Sequence, residues 1–197
     1  MPLDPRVKRF LDLLAAGNPP DARSATVEER RKGLISLMQF AGPPLALERI
    51  EDRTLPGPDG ALRVRLYSPS KADILPGLIY FHGGGLVAGT LETHDCIGRA
   101  LCNSSGVRVV SVDYRLAPEH RFPAAVEDAK AALRYIGGHA ADFGIDAARL
   151  GICGDSAGAT LAAATCQSAT QAGGPPLILQ LLLCPILDYS RVTPSKR

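Results

Sequence analysis

Several features that would point to other classes of protein are missing from this 197-residue sequence. It has no run of basic residues, and its net charge of +2 is spread over interspersed acids and bases, which argues against a nucleic-acid partner. The five cysteines are odd in number and form no Cys-x-x-Cys pair, which argues against a disulfide framework and a zinc site. We therefore expect no nucleic-acid partner, no metal and no cofactor.

Long apolar segments are also lacking. Residues 1–17 contain two aspartates and no apolar core of the length found in secretory signals. The richest apolar stretch, residues 177–187 (LILQLLLCPIL), is interrupted by Gln180 and Pro185 and is too short to cross a bilayer. The sequence therefore predicts a cytoplasmic protein without stable membrane association.

What the sequence does contain, from residue 48 onward, is an alternation of strand and helix patterns. Residues 61–68 alternate apolar and polar side chains, as a half-exposed strand does. Further strands, mostly buried, are predicted at residues 77–84, 106–114, 149–155 and 177–187, and helices at 123–138 and 156–169. Such alternation is typical of a mostly parallel α/β sheet with helices on both faces.

The first 45 residues follow a different pattern. Apolar side chains from Val7 to Leu14 recur at one-turn spacing and predict a short amphipathic helix. Thr26 and Glu29 form a capping box that predicts the start of a second helix. We therefore divide the chain into helical residues 1–45 and an α/β core over residues 46–197, and we expect the helices to lie on another surface.

Residues 154–158 (GDSAG) are rich in small side chains and fit the pattern G-x-S-x-G, which is typical of a tight strand-to-helix turn. When a strand turns abruptly into a helix, the serine backbone is strained, and larger side chains beside it would collide with the neighbouring strand and helix. The turn would place the Ser156 hydroxyl near a helix N-terminus, whose free N–H groups stabilise negative charge. A plain strand-to-helix turn also often contains glycine and serine, so this motif alone leaves both interpretations open.

A second glycine-rich segment, residues 82–85 (HGGG), directly follows a predicted buried strand. Three glycines let the backbone approach a substrate with its N–H groups pointing into the cleft, although a flexible glycine loop gives the same pattern. Both motifs lie at the carboxyl ends of predicted parallel strands, where such folds build their sites. Together they predict one nucleophile site.

Three motifs carry a family resemblance: HGGG at 82–85, DYRLAPEHRFPAA at 113–125 and GDSAG at 154–158. Their order and spacing resemble the hormone-sensitive-lipase-like esterases, the bacterial family IV (GDXG) carboxylesterases of the α/β-hydrolase superfamily, over residues 45–190. The resemblance implies an α/β-hydrolase fold, a cap that begins with the two N-terminal helices, and short- to medium-chain carboxylic esters as substrates.

The resemblance also implies roles for individual residues. Ser156 matches the nucleophile, and the N–H groups of Gly83, Gly84 and Ala157 match the oxyanion hole. The supporting motif residues are His82, Gly85, Gly154, Asp155 and Gly158. We interpret Asp155 as a local hydrogen-bonding residue that fixes the turn, and the charges of the 113–121 segment as a salt-bridged loop.

A serine nucleophile needs a histidine to take its proton and a carboxylate behind that histidine. The superfamily order is Ser, then Asp or Glu, then His, yet no histidine or glutamate follows Ser156, and the only later acid is Asp188. Asp188 fits the family order poorly. Of the four histidines (82, 94, 120 and 139), only His94 could approach the cleft, and nothing places it within reach of Ser156.

Two interpretations remain open. The favoured one is an N-terminal portion of a serine carboxylesterase that lacks the acid, the base and the later strands of the sheet. The alternative is a non-catalytic α/β-hydrolase-like binding or interaction protein. In either case residues 177–187 would form an apolar sheet edge, which favours dimers or aggregates.

Overall fold

In a computed structural model, which describes residues 3–17, 24–188 and 190, six strands form one sheet flanked by helices. The helices are α1 (Pro5–Ala16), α2 (Val27–Leu37), α3 (Asp95–Ser105), α4 (Ala124–Gly138) and α5 (Ala157–Ala172), with 3₁₀ turns at Met38–Phe40 and Ala140–Phe143. The strands are β1 (Arg49–Gly57), β2 (Gly60–Ser68), β3 (Leu75–Phe81), β4 (Arg108–Val112), β5 (Ile145–Asp155) and β6 (Leu179–Leu183).

The strand order in the sheet is β1-β2-β4-β3-β5-β6. The four strands β3 to β6 run parallel to one another, whereas β1 and β2 are antiparallel additions beside β4. The prediction of a mostly parallel α/β sheet is therefore confirmed. Because β3 and β5 are adjacent and parallel, their carboxyl ends, Phe81 and Gly154, lie side by side.

Consecutive side chains of β3 enter two different cores, one on each face of the sheet. Ile79 and Phe81 pack into the larger core, which α4 and α5 cover, and Leu78 and Tyr80 pack into the smaller core beneath α3. This division follows from the two-residue period of a strand. All four side chains are almost fully buried, as the continuous apolar run predicts.

Strand β1 is missing from the sequence-based prediction. Its residues, RIEDRTLPG, carry four charges, and most of them are partly or fully exposed because β1 is an edge strand. The sequence signal for the hairpin is Pro58-Asp59-Gly60. Pro58 and Asp59 form the loop between Gly57 and Gly60, which are paired across the two strands. Gly60 has a φ of 109°, which explains why glycine stands there.

The other edge of the sheet is β6, which is shorter than the predicted strand at 177–187. Proline at position 185 cannot donate a ladder hydrogen bond, and the described strand ends before it, at Leu183. Large apolar side chains around β6 remain exposed, including Ile178 at 64% and Leu187 at 63%. Self-association through this edge stays a prediction.

Helices α1 and α2 contain no buried residue among those described. The predicted capping box of α2 is present, since Thr26 Oγ1 accepts from the Glu29 N–H and the Glu29 carboxylate accepts from the Thr26 N–H. The apolar face of α1 does not lie on the core, and Phe10 packs edge-on against Phe40. A cap role for these helices stays a prediction. Within the described ranges, no helix is both long and apolar enough to cross a membrane.

Candidate active site

The predicted nucleophile lies on a sharp turn between β5 and α5. Ser156 has φ 51° and ψ −118°, a conformation that non-glycine residues adopt only under strain. Its N–H donates to the Leu183 carbonyl oxygen of β6 over 2.8 Å, which fixes the turn to the neighbouring strand. Helix α5 begins at the next residue, Ala157, so the serine stands at the helix N-terminus, where the first N–H groups have no partner within the helix.

Close packing around the turn explains its glycines. A Cβ atom at Gly158 would lie 2.1 Å from the Phe81 carbonyl oxygen and 2.3 Å from that of His82. A Cβ atom at Gly154 would lie 2.3 Å from the Gly158 carbonyl group. The start of α5 therefore packs directly on the end of β3, which brings the serine turn and the HGGG segment together.

The HGGG segment forms a tight turn, which we call the glycine turn (residues 83–88). Gly84 and Gly85 have φ values of 118° and 67°, and the Gly84 carbonyl oxygen accepts from the N–H groups of Val87 and Ala88. The N–H groups of Gly84, Gly85 and Ala157 donate no hydrogen bond to another described residue. These three donors lie on the two turns that the close packing at Gly158 holds together.

Gly83 behaves differently from its expected role. Its N–H donates to Asp155 Oδ1 over 2.9 Å, and the same oxygen accepts from the Tyr80 hydroxyl. The Gly83 N–H is therefore occupied in this geometry, whereas the sequence interpretation takes it as free for an oxyanion. Asp155 links the serine turn to the glycine turn through this bond.

Two histidines form a buried stack behind the glycine turn. His82 is fully buried, lies between the rings of His94 and Tyr114, and donates from Nδ1 to the Gly83 carbonyl oxygen over 2.8 Å. His82 Nε2 has no hydrogen-bond partner within the described part of the chain. His94 Nε2 lies 4.0 Å from Asp155 Oδ2, which is too far for a hydrogen bond.

Burial lowers the pKa of both histidines. For His82 it lowers the pKa to about 4, against a smaller opposing effect of the hydrogen bond to Gly83. For His94, burial outweighs the attraction of the Asp155 carboxylate, which acts in the opposite direction. Both rings are therefore neutral near pH 7, and they support the glycine turn rather than carry charge.

The lowered pKa of His82 predicts acid sensitivity. Between its ordinary pKa of about 6.5 and the native value of about 4, the unfolded chain binds a proton that the native chain does not, so stability falls as the pH falls through this window. We expect the free energy of unfolding, measured by urea titration, to drop by up to about 1.4 kcal/mol per pH unit.

The matched variant is His82→Asn, whose amide can donate to the same carbonyl oxygen without titrating. We expect the free energy of unfolding to depend less steeply on pH in this variant. The pH dependence that remains is due in part to His94, whose pKa is also lowered. An identical slope in both proteins would show that the pKa of His82 is not lowered in the native chain.

The remaining sequence candidates lie elsewhere. No described side chain hydrogen bonds the Ser156 hydroxyl, and His94 faces Asp155 instead of the serine. Asp188 is exposed, and its Oδ1 accepts from the N–H and the hydroxyl of Ser190. Within the described residues, Ser156 therefore has no base and no acid behind it.

The 113–121 segment supports the site from beneath. Tyr114 donates its hydroxyl proton to the His82 carbonyl oxygen over 2.7 Å. Arg115 binds the buried Asp128 carboxylate through its backbone N–H and its guanidinium group. Sequence reasoning identified the charges of this loop but missed Tyr80 and Tyr114, whose partners lie tens of residues away.

Comparison with known proteins agrees with this fold. The family described as the alpha/beta hydrolase fold matches residues 78–197. Carboxylesterase NlhH of Mycobacterium tuberculosis is 48% identical over 164 residues, which are 81% of this chain and 51% of that protein. The ethyl acetate hydrolase of Pseudomonas putida is 40% identical over 99% of this chain and 64% of its own length. The structure of an ester hydrolase from the metagenome of Lake Arreo, complexed with a derivative of bipyridine phosphonate, superposes with a TM-score of 0.92 at 40% identity and covers 98% of this chain and 64% of that one.

The chain belongs to the α/β-hydrolase fold family. Within it, the motifs and these relatives support its place among the hormone-sensitive-lipase-like carboxylesterases. The chain spans 51% and 64% of the lengths of these two curated relatives.

Proposed function

We propose that this chain carries the nucleophile and the oxyanion-binding groups of a serine carboxylesterase. One observation carries the proposal: Ser156 stands on a strained turn beside unoccupied N–H donors of two adjoining turns. The names of the relatives give the same reaction class, ester hydrolysis.

In the proposed reaction, the Ser156 Oγ attacks the ester carbonyl carbon while a base takes its proton. The carbonyl π electrons move to the oxygen, and the N–H groups of Gly84, Gly85 and Ala157 stabilise that oxyanion. Collapse expels the alkoxide, which leaves as the alcohol with the proton, and water then hydrolyses the acyl-enzyme. Gly83 instead positions the turn through Asp155.

The base and the acid are absent from the surroundings of Ser156 among the described residues. We propose that they belong to the portion of the fold that the relatives have and this chain does not cover. The chain would then hold a prepared nucleophile whose activation depends on a second segment.

A reactive phosphonate tests the proposed nucleophile without requiring turnover. We expect an aryl alkylphosphonofluoridate to form an adduct on Ser156 slowly, yet faster than on any other serine, because the three N–H donors stabilise the developing charge. Peptide mass spectrometry locates the adduct, and Ser156→Ala is the control. Equal labelling of several serines would contradict the proposal and favour a non-catalytic binding protein.

The proposed substrate is a small carboxylic ester with a short or medium acyl chain, as the family resemblance implies. We further propose that the protein acts in the cytoplasm, and without a nucleic-acid or stable membrane partner. Fractionation of cells that express it, followed by immunoblotting, checks the location; recovery in the membrane pellet would contradict it.

A further inference from the structure

One side chain of helix α2, Arg31, contacts two loops of the core at once. Arg31 Nε donates to the Val87 carbonyl oxygen over 2.8 Å, and one of its terminal nitrogens donates to the Ala117 carbonyl oxygen over 3.3 Å. Its two terminal nitrogens also hold the two oxygens of Glu119 at 2.8 and 2.7 Å. This forked geometry binds a carboxylate with defined orientation.

The contact with Val87 reaches the glycine turn itself. Val87 closes that turn by donating its N–H to the Gly84 carbonyl oxygen. Leu86, one residue earlier, has φ 61°, a strained conformation that persists only when its surroundings hold it. Its carbonyl oxygen accepts from the Ala117 N–H, so the two loops that Arg31 bridges are also joined to each other.

The apolar side chains of α2 contribute only partial burial. The helix contains no fully buried residue among those described; Ile35 and Leu37 are 60% and 43% exposed, and Val27 and Leu34 are half-buried. By contrast, the Arg31 side chain is only 35% exposed and is enclosed by its four acceptors. A guanidinium clamp therefore ties this helix to the turn beside the nucleophile.

We propose that Arg31 is a positioning residue that clamps α2 to the glycine turn and so holds the Gly84 and Gly85 N–H groups in place. The clamp acts on Val87 and Glu119 together and does not touch the substrate. The effect on oxyanion binding rests on the proposed function, whereas the clamp itself does not.

The test uses the full chain and three variants. Arg31→Ala removes all four hydrogen bonds, and Arg31→Lys keeps the charge but cannot bind Val87 and Glu119 in the same fork. The control is Lys32→Ala, on the same helix, whose ion pair with Glu28 is exposed and lies within α2. For each protein we measure amide hydrogen exchange by mass spectrometry, the amide NMR shifts of Gly84 and Gly85, and the rate of Ser156 phosphonylation.

We expect Arg31→Ala to speed exchange roughly tenfold in α2 and in the glycine turn. We also expect it to shift the Gly84 and Gly85 amide signals and to slow phosphonylation about tenfold, because the donors are misplaced. The exchange and phosphonylation rates of Arg31→Lys should lie between those of Arg31→Ala and those of the unchanged chain. The rates of Lys32→Ala should equal those of the unchanged chain.

Faster exchange confined to α2, with the glycine turn unaltered, would overturn the positioning role, as would an equal response in Lys32→Ala. Absence of any change in Arg31→Ala would overturn the clamp altogether. If the unchanged chain shows no selective adduct on Ser156, the proposed function fails, while hydrogen exchange and NMR still decide the clamp.

Discussion

Purified residues 1–197 should hydrolyse a short-chain aryl ester such as p-nitrophenyl butyrate roughly 10⁴-fold more slowly than the related esterases. The serine turn and the N–H donors are in place, but no described side chain hydrogen bonds the Ser156 hydroxyl. Without a base, the reaction retains mainly the contributions of oxyanion stabilisation and binding. Initial rates measured beside a related full-length esterase check this expectation.

The control for residual activity is Ser156→Ala. We expect only a small further loss, because members of a catalytic unit have strongly non-additive effects once one of them is missing. Fast hydrolysis that Ser156→Ala abolishes would contradict the prediction. It would also identify a base within this chain, with His94 as the first residue to test.

The parts of the fold that depend on local sequence pattern could be predicted. Strand β3 is a continuous apolar run, and the capping box of α2 spans only three residues, so both signals lie within a short window. Strand β1 was missed because its charged side chains face solvent at the sheet edge. Its pairing with β2 defines it more clearly than its composition does.

The site shows the same contrast between local and distant information. Ser156 and its glycines follow from a five-residue motif with a known mechanical cause. The bond from Gly83 to Asp155 joins residues that are 72 positions apart, and it depends on the register that sets Phe81 beside Gly154. No local pattern contains that register, so the sequence could not show that the first N–H of the glycine turn is already occupied.

The same register makes Gly158 a position with a large expected effect on stability. A Cβ atom there would stand 2.1 Å from the Phe81 carbonyl oxygen and 2.3 Å from that of His82. Both oxygens belong to the backbone, so neither can rotate away. Gly158→Ala must therefore push α5 away from the end of β3. We expect a loss of more than about 3 kcal/mol in the free energy of unfolding by urea.

The matched control is Gly138→Ala at the end of α4, where an added Cβ meets nothing within 4 Å. Its effect should stay within about 1 kcal/mol, since alanine is the better helix residue. Equal effects of the two substitutions would show that α5 can move without cost, and the two turns would then not be held together by close packing. A much larger loss of unfolding free energy in Gly158→Ala would mean that the folded sheet depends on the contact between Gly158 and Phe81. The same contact holds the serine turn, with Ala157, against the glycine turn, with Gly84 and Gly85. One glycine would then set both the stability of the fold and the geometry of the oxyanion donors.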